Sequence, residues 1–75
     1  MTQATSVQAR IRVNGQDEPL HARTVAALLA QKEVPSEMRG IAVALNGRVV
    51  PRSDWTKTAL TAGDTIEIVL ARQGG

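Results

Sequence analysis

Seventy-five residues with no cysteine and a single histidine, His21, exclude a disulfide-stapled fold and a thiolate or polyhistidine metal site. A chain of this length holds one small domain, so its 43% hydrophobic content has to build the whole core. The net charge of +2 comes from arginines scattered between Arg10 and Arg72, and Trp55 is the only aromatic residue, which argues against the basic stripe and stacking rings of a nucleic-acid binder.

Met1 to Ser6 is polar and has no apolar h-region, and no stretch approaches the length of a membrane span. The expectation is a cytoplasmic protein with a disordered start over residues 1–6 and a folded domain over 7–71. Val7 to Val13 alternates apolar and polar residues, which predicts a half-buried strand with Val7, Ile11 and Val13 inward. Asn14-Gly15 supplies a tight hairpin turn. The return strand is placed at Glu18 to Ala22, with Pro19 marking it as an edge.

Thr24 suits a helix N-cap, and Val25, Leu28 and Leu29 follow at the spacing of one helical face. The helix is expected to end near Glu33, ahead of Pro35, with a loop to Gly40 in which Met38 fills a gap against the core. Ile41 to Leu45 is apolar throughout, so this strand reads as covered on both faces. Asn46-Gly47 makes a second hairpin that returns through Val49-Val50 and stops at Pro51. Ser53 to Leu60 reads as a short irregular turn tucking Trp55 or Leu60 under the core. Gly63-Asp64 leads into the last strand, Thr65 to Ala71, whose Ile66, Ile68 and Leu70 are assigned to the core.

A mixed sheet with one helix packed across one face buries every one of these stripes, an α+β arrangement of the β-grasp (ubiquitin-like) type. Its first and last strands lie side by side and parallel in the middle. Residues 72–75 then leave the sheet as a flexible tail. Glu67, Val69 and Ala71 face away from the helix, as do Ala42 and Ala44 of the neighbouring strand. Together Ala42, Ala44 and Val69 make a small apolar patch leading to the tail.

Gly74-Gly75 at the end of such a strand presents an uncrowded α-carboxyl group, which can enter a narrow channel because neither residue has a Cβ. With a pKa of roughly 3.3–3.7, that group is an anion at neutral pH and a poor electrophile, so it reacts only after another enzyme activates it. Asp54, Asp64 and Glu67 read as turn or surface carboxylates, because catalysis needs convergent partners in a pocket that so small a domain has little room for. His21 is assigned no role, and Trp55 is a packing residue.

From Val13 to Gly75 the chain resembles the sulfur carrier proteins of thiamin biosynthesis, the ThiS family. The resemblance rests on Thr24-Val-Ala-Ala-Leu-Leu29, Ile41-Ala-Val-Ala-Leu-Asn-Gly47, Val49-Val-Pro-Arg-Ser-Asp-Trp55, Gly63-Asp64 and Gly74-Gly75, in that order. It implies a carrier and not an enzyme, with no bound cofactor. An E1-like adenylating enzyme of the ThiF type uses ATP to activate the Gly75 carboxylate. Sulfur from a source such as a cysteine desulfurase converts it to a thiocarboxylate, and a thiazole synthase of the ThiG type takes that sulfur. Partner contacts are then expected from Arg72, Gln73 and Gly74 of the tail and from the patch of Ala42, Ala44 and Val69. Arg72 departs from the apolar or small residue common in relatives, which leaves open the related carriers for molybdopterin, cysteine or secondary metabolites. A ubiquitin-like protein modifier and a β-grasp interaction module without tail chemistry are the other readings.

Overall fold

The structure, a computed structural model, describes residues 9–35 and 37–70. Two Asn-Gly hairpins organise the sheet. Asn14 and Gly15 sit at φ 50° and 83°, and Asn46 and Gly47 at 52° and 85°, the left-handed pair that a two-residue turn between twisted strands requires. The first turn joins β1 (Arg10–Val13) to β2 (Gln16–Pro19), and the second joins β3 (Ile41–Leu45) to β4 (Arg48–Val49). The last strand, β5 (Thr65–Leu70), lies between the hairpins in the order β2-β1-β5-β3-β4. It runs parallel to β1 with Val13 beside Ile66, and antiparallel to β3 from Ile41 opposite Leu70 to Leu45 opposite Ile66. This is the expected β-grasp order, with Pro19 on the β2 edge.

The helix α1 spans Val25–Gln31, and the Thr24 hydroxyl accepts the Ala27 amide at 3.1 Å. The two preceding amides are taken up by the segment after β4. Val25 N–H donates to the Thr58 carbonyl at 3.0 Å and Ala26 N–H to the Trp55 carbonyl at 2.9 Å. The first helical turn therefore keeps no orphan donor at these three positions. The same segment, entered through a 3-10 turn at Arg52–Asp54, buries both Trp55 and Leu60. The Trp55 indole donates to the Val50 carbonyl at 2.9 Å, and the Arg52 guanidinium lies 4.6 Å from its ring centre. The core joins these to Ile11, Val13, Val25, Leu28, Leu29, Val43 and Ile66.

Several boundaries differ from expectation. Pairing in the first hairpin starts immediately after the two-residue turn, at Val13 opposite Gln16, so β2 runs Gln16–Pro19 and Ala22 is buried outside any strand. Strand β1 begins at Arg10; Val7 lies outside the described residues. Strand β3 is covered on one face only, because the single helix leaves Ala42 exposed. Met38 is exposed too, and its carbonyl accepts the Arg52 guanidinium at 2.6 Å.

The helix is also shorter than expected. Val34 N–H donates to the Leu29 carbonyl at 2.9 Å and Glu33 N–H to the Ala30 carbonyl at 3.0 Å, with Glu33 at φ 61°. These are the paired bonds of a Schellman stop, whose left-handed position favours glycine. Its shortness corrects Leu70. Seven helical residues cover about 10 Å, whereas six strand residues extend about 20 Å. Along β5 the core side accordingly runs from buried Ile66 through half-buried Ile68 to Leu70, which is 51% exposed.

The start of β5 is held by the second hairpin. The Asn46 amide N–H donates to the Asp64 carboxylate at 3.0 Å, and its oxygen accepts the Thr65 amide at 2.9 Å. Asp64 also accepts the Thr61 amide at 2.8 Å and the Thr61 hydroxyl at 3.3 Å. Partial burial works against its charge, but the Thr61 amide, the Asn46 amide and the Thr61 hydroxyl together hold it below the ordinary 3.8.

Glu33→Gly is expected to stabilise the domain by about 1 kcal/mol, raising the melting temperature by some 4–8 °C; a calorimetric scan checks it, and an unchanged or lower value contradicts the strain argument. Because Asp64 ionises more readily folded than unfolded, its contribution is present above about pH 4 and lost as the pH falls through the folded value. Asp64→Asn is therefore expected to be less stable than the wild type at neutral pH, with the gap closing in urea titrations as the pH falls through the folded value. A gap that persists at low pH would mean that charge is not what stabilises this turn.

Candidate functional site

The sheet face away from the helix carries the expected patch, and the register shows how it is assembled. Val69, 56% exposed, stands directly opposite Ala42, which is also exposed. Ala44 shares the face but is half-buried, opposite Glu67 on β5 and Val49 on β4. Val49 is 76% exposed and extends the patch toward the β4 edge. The sequence reading did not include it. The signal was present, because a two-residue turn at Asn46-Gly47 pairs Leu45 with Arg48 and Ala44 with Val49, and a strand pair shares one face.

The other half of this face is charged. Arg12 stands beside Thr65, and Arg10 pairs with Asp17 across the hairpin at 2.9 Å. The outer face thus has an apolar half on β3, β4 and the end of β5, bordered by a polar half on β1 and β2. No element of the described fold covers the apolar half, whose exposed valines are a pattern suited to protein contact rather than folding.

Leu70 points the opposite way, toward a cleft of about 320 Å³ whose walls include Val34, Ile68, Glu18 and Lys32. The Lys32 ammonium is joined to the Glu18 carboxylate at 2.7 Å, bridging the helix end to β2. The end of β5 therefore presents apolar side chains on both faces of the sheet.

Asn14 holds this end of β5 in place. Its backbone amide donates to the Ile66 carbonyl at 2.9 Å. Its side-chain oxygen accepts the Ile68 amide at 2.7 Å, and its side-chain nitrogen donates to the Ile68 carbonyl at 3.2 Å. Backbone pairing of β1 with β5 has already ended at Val13 and Ile66. The side chain supplies the next step of the parallel ladder with an amide in place of a peptide unit. Sequence reading saw Asn14 only as a turn residue.

Among the described residues no group of His, Asp and Glu is placed to hold a metal ion. Asp64 is engaged in its loop and Glu67 is exposed on the outer face, so these carboxylates occupy turn and surface positions as expected. Arg72, Gln73, Gly74 and Gly75, together with Ala71, lie outside the described residues.

Residues 8–75 match the family model of the ThiS family. The chain is 33% identical over 63 residues to the sulfur carrier protein ThiS of Thermus thermophilus, an alignment covering 84% of this chain and 95% of the relative. It is similar to the crystal structure of a thiamine biosynthesis protein (ThiS) from Geobacter metallireducens, with a TM-score of 0.73 and 28% identity over 88% of this chain and 99% of the other. The solution structure of the Geobacter protein gives a TM-score of 0.71 at the same identity, covering 88% of this chain and 87% of that one.

Proposed function

The chain belongs to the ThiS family, and we propose from that membership that it carries sulfur for the thiazole ring of thiamin as a thiocarboxylate on Gly75. The observation that carries this reading is that the family match runs through to Gly75. The relatives named for thiamin biosynthesis favour this pathway over the other sulfur-incorporating routes.

The chemistry follows from the weakness of a carboxylate as an electrophile. An activating enzyme joins the Gly75 carboxylate to the α-phosphate of ATP, releasing pyrophosphate and leaving an acyl-adenylate. A persulfide sulfur attacks the acyl carbon and AMP departs. A thiol reductant then cleaves the remaining S–S bond and frees the thiocarboxylate. Thiazole synthase passes the sulfur to its substrate in exchange for an oxygen, so that the acyl C–S bond gives way to C–O and the carboxylate is restored for another cycle. The carrier is a substrate in each step and holds no cofactor; ATP belongs to the activating enzyme, and the cytoplasm supplies it.

The patch is the docking surface in this account. Ala42, Ala44, Val49 and Val69 meet the activating enzyme, and the polar groups of β1 and β2 border the contact. Val69 lies at the start of the path to Gly75, with Arg72, Gln73 and Gly74 leading into the enzyme's channel. Gly74 and Gly75, which have no Cβ, let the backbone approach closely.

Gly75→Val is expected to abolish adenylation, read as ATP–pyrophosphate exchange, while leaving the melting temperature unchanged; exchange at the wild-type rate contradicts the steric role of the glycine. Val69→Asp and Ala42→Asp should each weaken docking at least about tenfold, the loss expected when an apolar contact gives way to a desolvated charge. Calorimetric titration with the activating enzyme measures this, and unchanged affinity in both variants rules out the patch.

A further inference from the structure

The two Asn-Gly turns do the same local job, yet their side chains grip β5 at opposite ends. Asn46 secures Thr65 at its beginning and Asn14 secures Ile68 near its end. The two gripped residues are about 10 Å apart along the strand. Only the Asn14 grip adjoins Val69. Among the described residues, past the last β1 pair at Val13 and Ile66, the β1-side edge of β5 has this amide in place of a neighbouring strand at Ile68.

We propose that Asn14 is a positioning residue for transfer: its amide holds the end of β5 ordered, so that the docking patch is preformed when the activating enzyme arrives. The inference rests on the carrier reading above. Without the amide, Ile68 loses a donor and an acceptor on that edge, while among the described residues Val69 keeps its β3 neighbour Ala42 alone. The strand end then has to be ordered during docking. Fixing one backbone residue costs enough to weaken an encounter about tenfold. Once the complex has formed, the tail meets the same catalytic groups, so turnover within it does not change.

The matched variants are Asn14→Gly and Asn46→Gly. Glycine keeps the positive φ of each turn and removes only the side-chain amide. Steady-state adenylation with the activating enzyme and ATP is measured for both, alongside amide hydrogen exchange and thermal melts. Asn14→Gly is expected to raise the KM for the carrier about tenfold with kcat unchanged, and to speed exchange at Ile68 and Val69. Asn46→Gly is expected to lower the melting temperature and speed exchange at Thr65, with its KM within about twofold of the wild type. If Asn14→Gly does not fold, Asn14→Asp makes the same comparison, because it keeps an acceptor for the Ile68 amide but turns a carboxylate oxygen toward the Ile68 carbonyl. Equal KM values for the two sites, or a fall in kcat instead of a rise in KM, overturn the proposal. If the wild-type chain takes no adenylate at all, it is the carrier reading that fails, and the inference with it.

Discussion

The parallel pairing of β1 with β5 is the constraint on which the rest of the structure depends. It joins segments far apart in the chain, Arg12 to Thr65 and Val13 to Ile66, and places β5 in the middle of the sheet. Long-range parallel pairing is entropically expensive, and backbone pairs at only two positions make a narrow seam. The buried side chains of Ile11, Val13 and Ile66 close it from the helix side, and the amides of Asn14 and Asn46 secure β5 on either side of the seam.

Placing the last strand at the centre has a functional consequence. The strand is anchored by β1 at its start, by the Asn14 amide at Ile68 and by β3 as far as Leu70, so the chain that follows it starts from a fixed origin. The short helix shields only the first half of that strand. Beyond it, Val69 and Leu70 are exposed on opposite faces, and the apolar surface of the fold is concentrated where the path to Gly75 begins. A carrier handed between enzymes needs a rigid body for recognition, and the described fold supplies one whose exposed Val69 and Leu70 lie at the end of its central strand.

Much of this was legible locally. Asn-Gly dictates its turn through backbone φ values, and Thr24 followed by Val25, Leu28 and Leu29 specifies both the cap and the buried face of the helix. The central placement of the last strand and the patch of Ala42, Ala44 and Val69 followed from period-two alternation once the order of strands was set. What was not legible depends on lengths and distant partners. Leu70 was assigned to the core because alternation says which face a residue takes but not how far the helix extends over that face. The helix ends early through a left-handed Glu33, a position where sequence alone points to glycine. The grips of Asn14 on Ile68 and Asn46 on Thr65 cross long spans of sequence, so no local pattern announces them. The role given to Gly75 came from resemblance in the ordered motifs, with the dipeptide alone unable to distinguish a carrier from a frayed end.

The central claim is that Gly75 carries the sulfur. Intact-mass spectrometry of the full chain after incubation with an activating enzyme, ATP and a persulfide donor tests it most directly. The account predicts a mass gain equal to one oxygen replaced by one sulfur, located by fragmentation at Gly75 and lost again on incubation with thiazole synthase and its other substrates. An unchanged mass, or adducts joined through lysine side chains of other proteins, would contradict it.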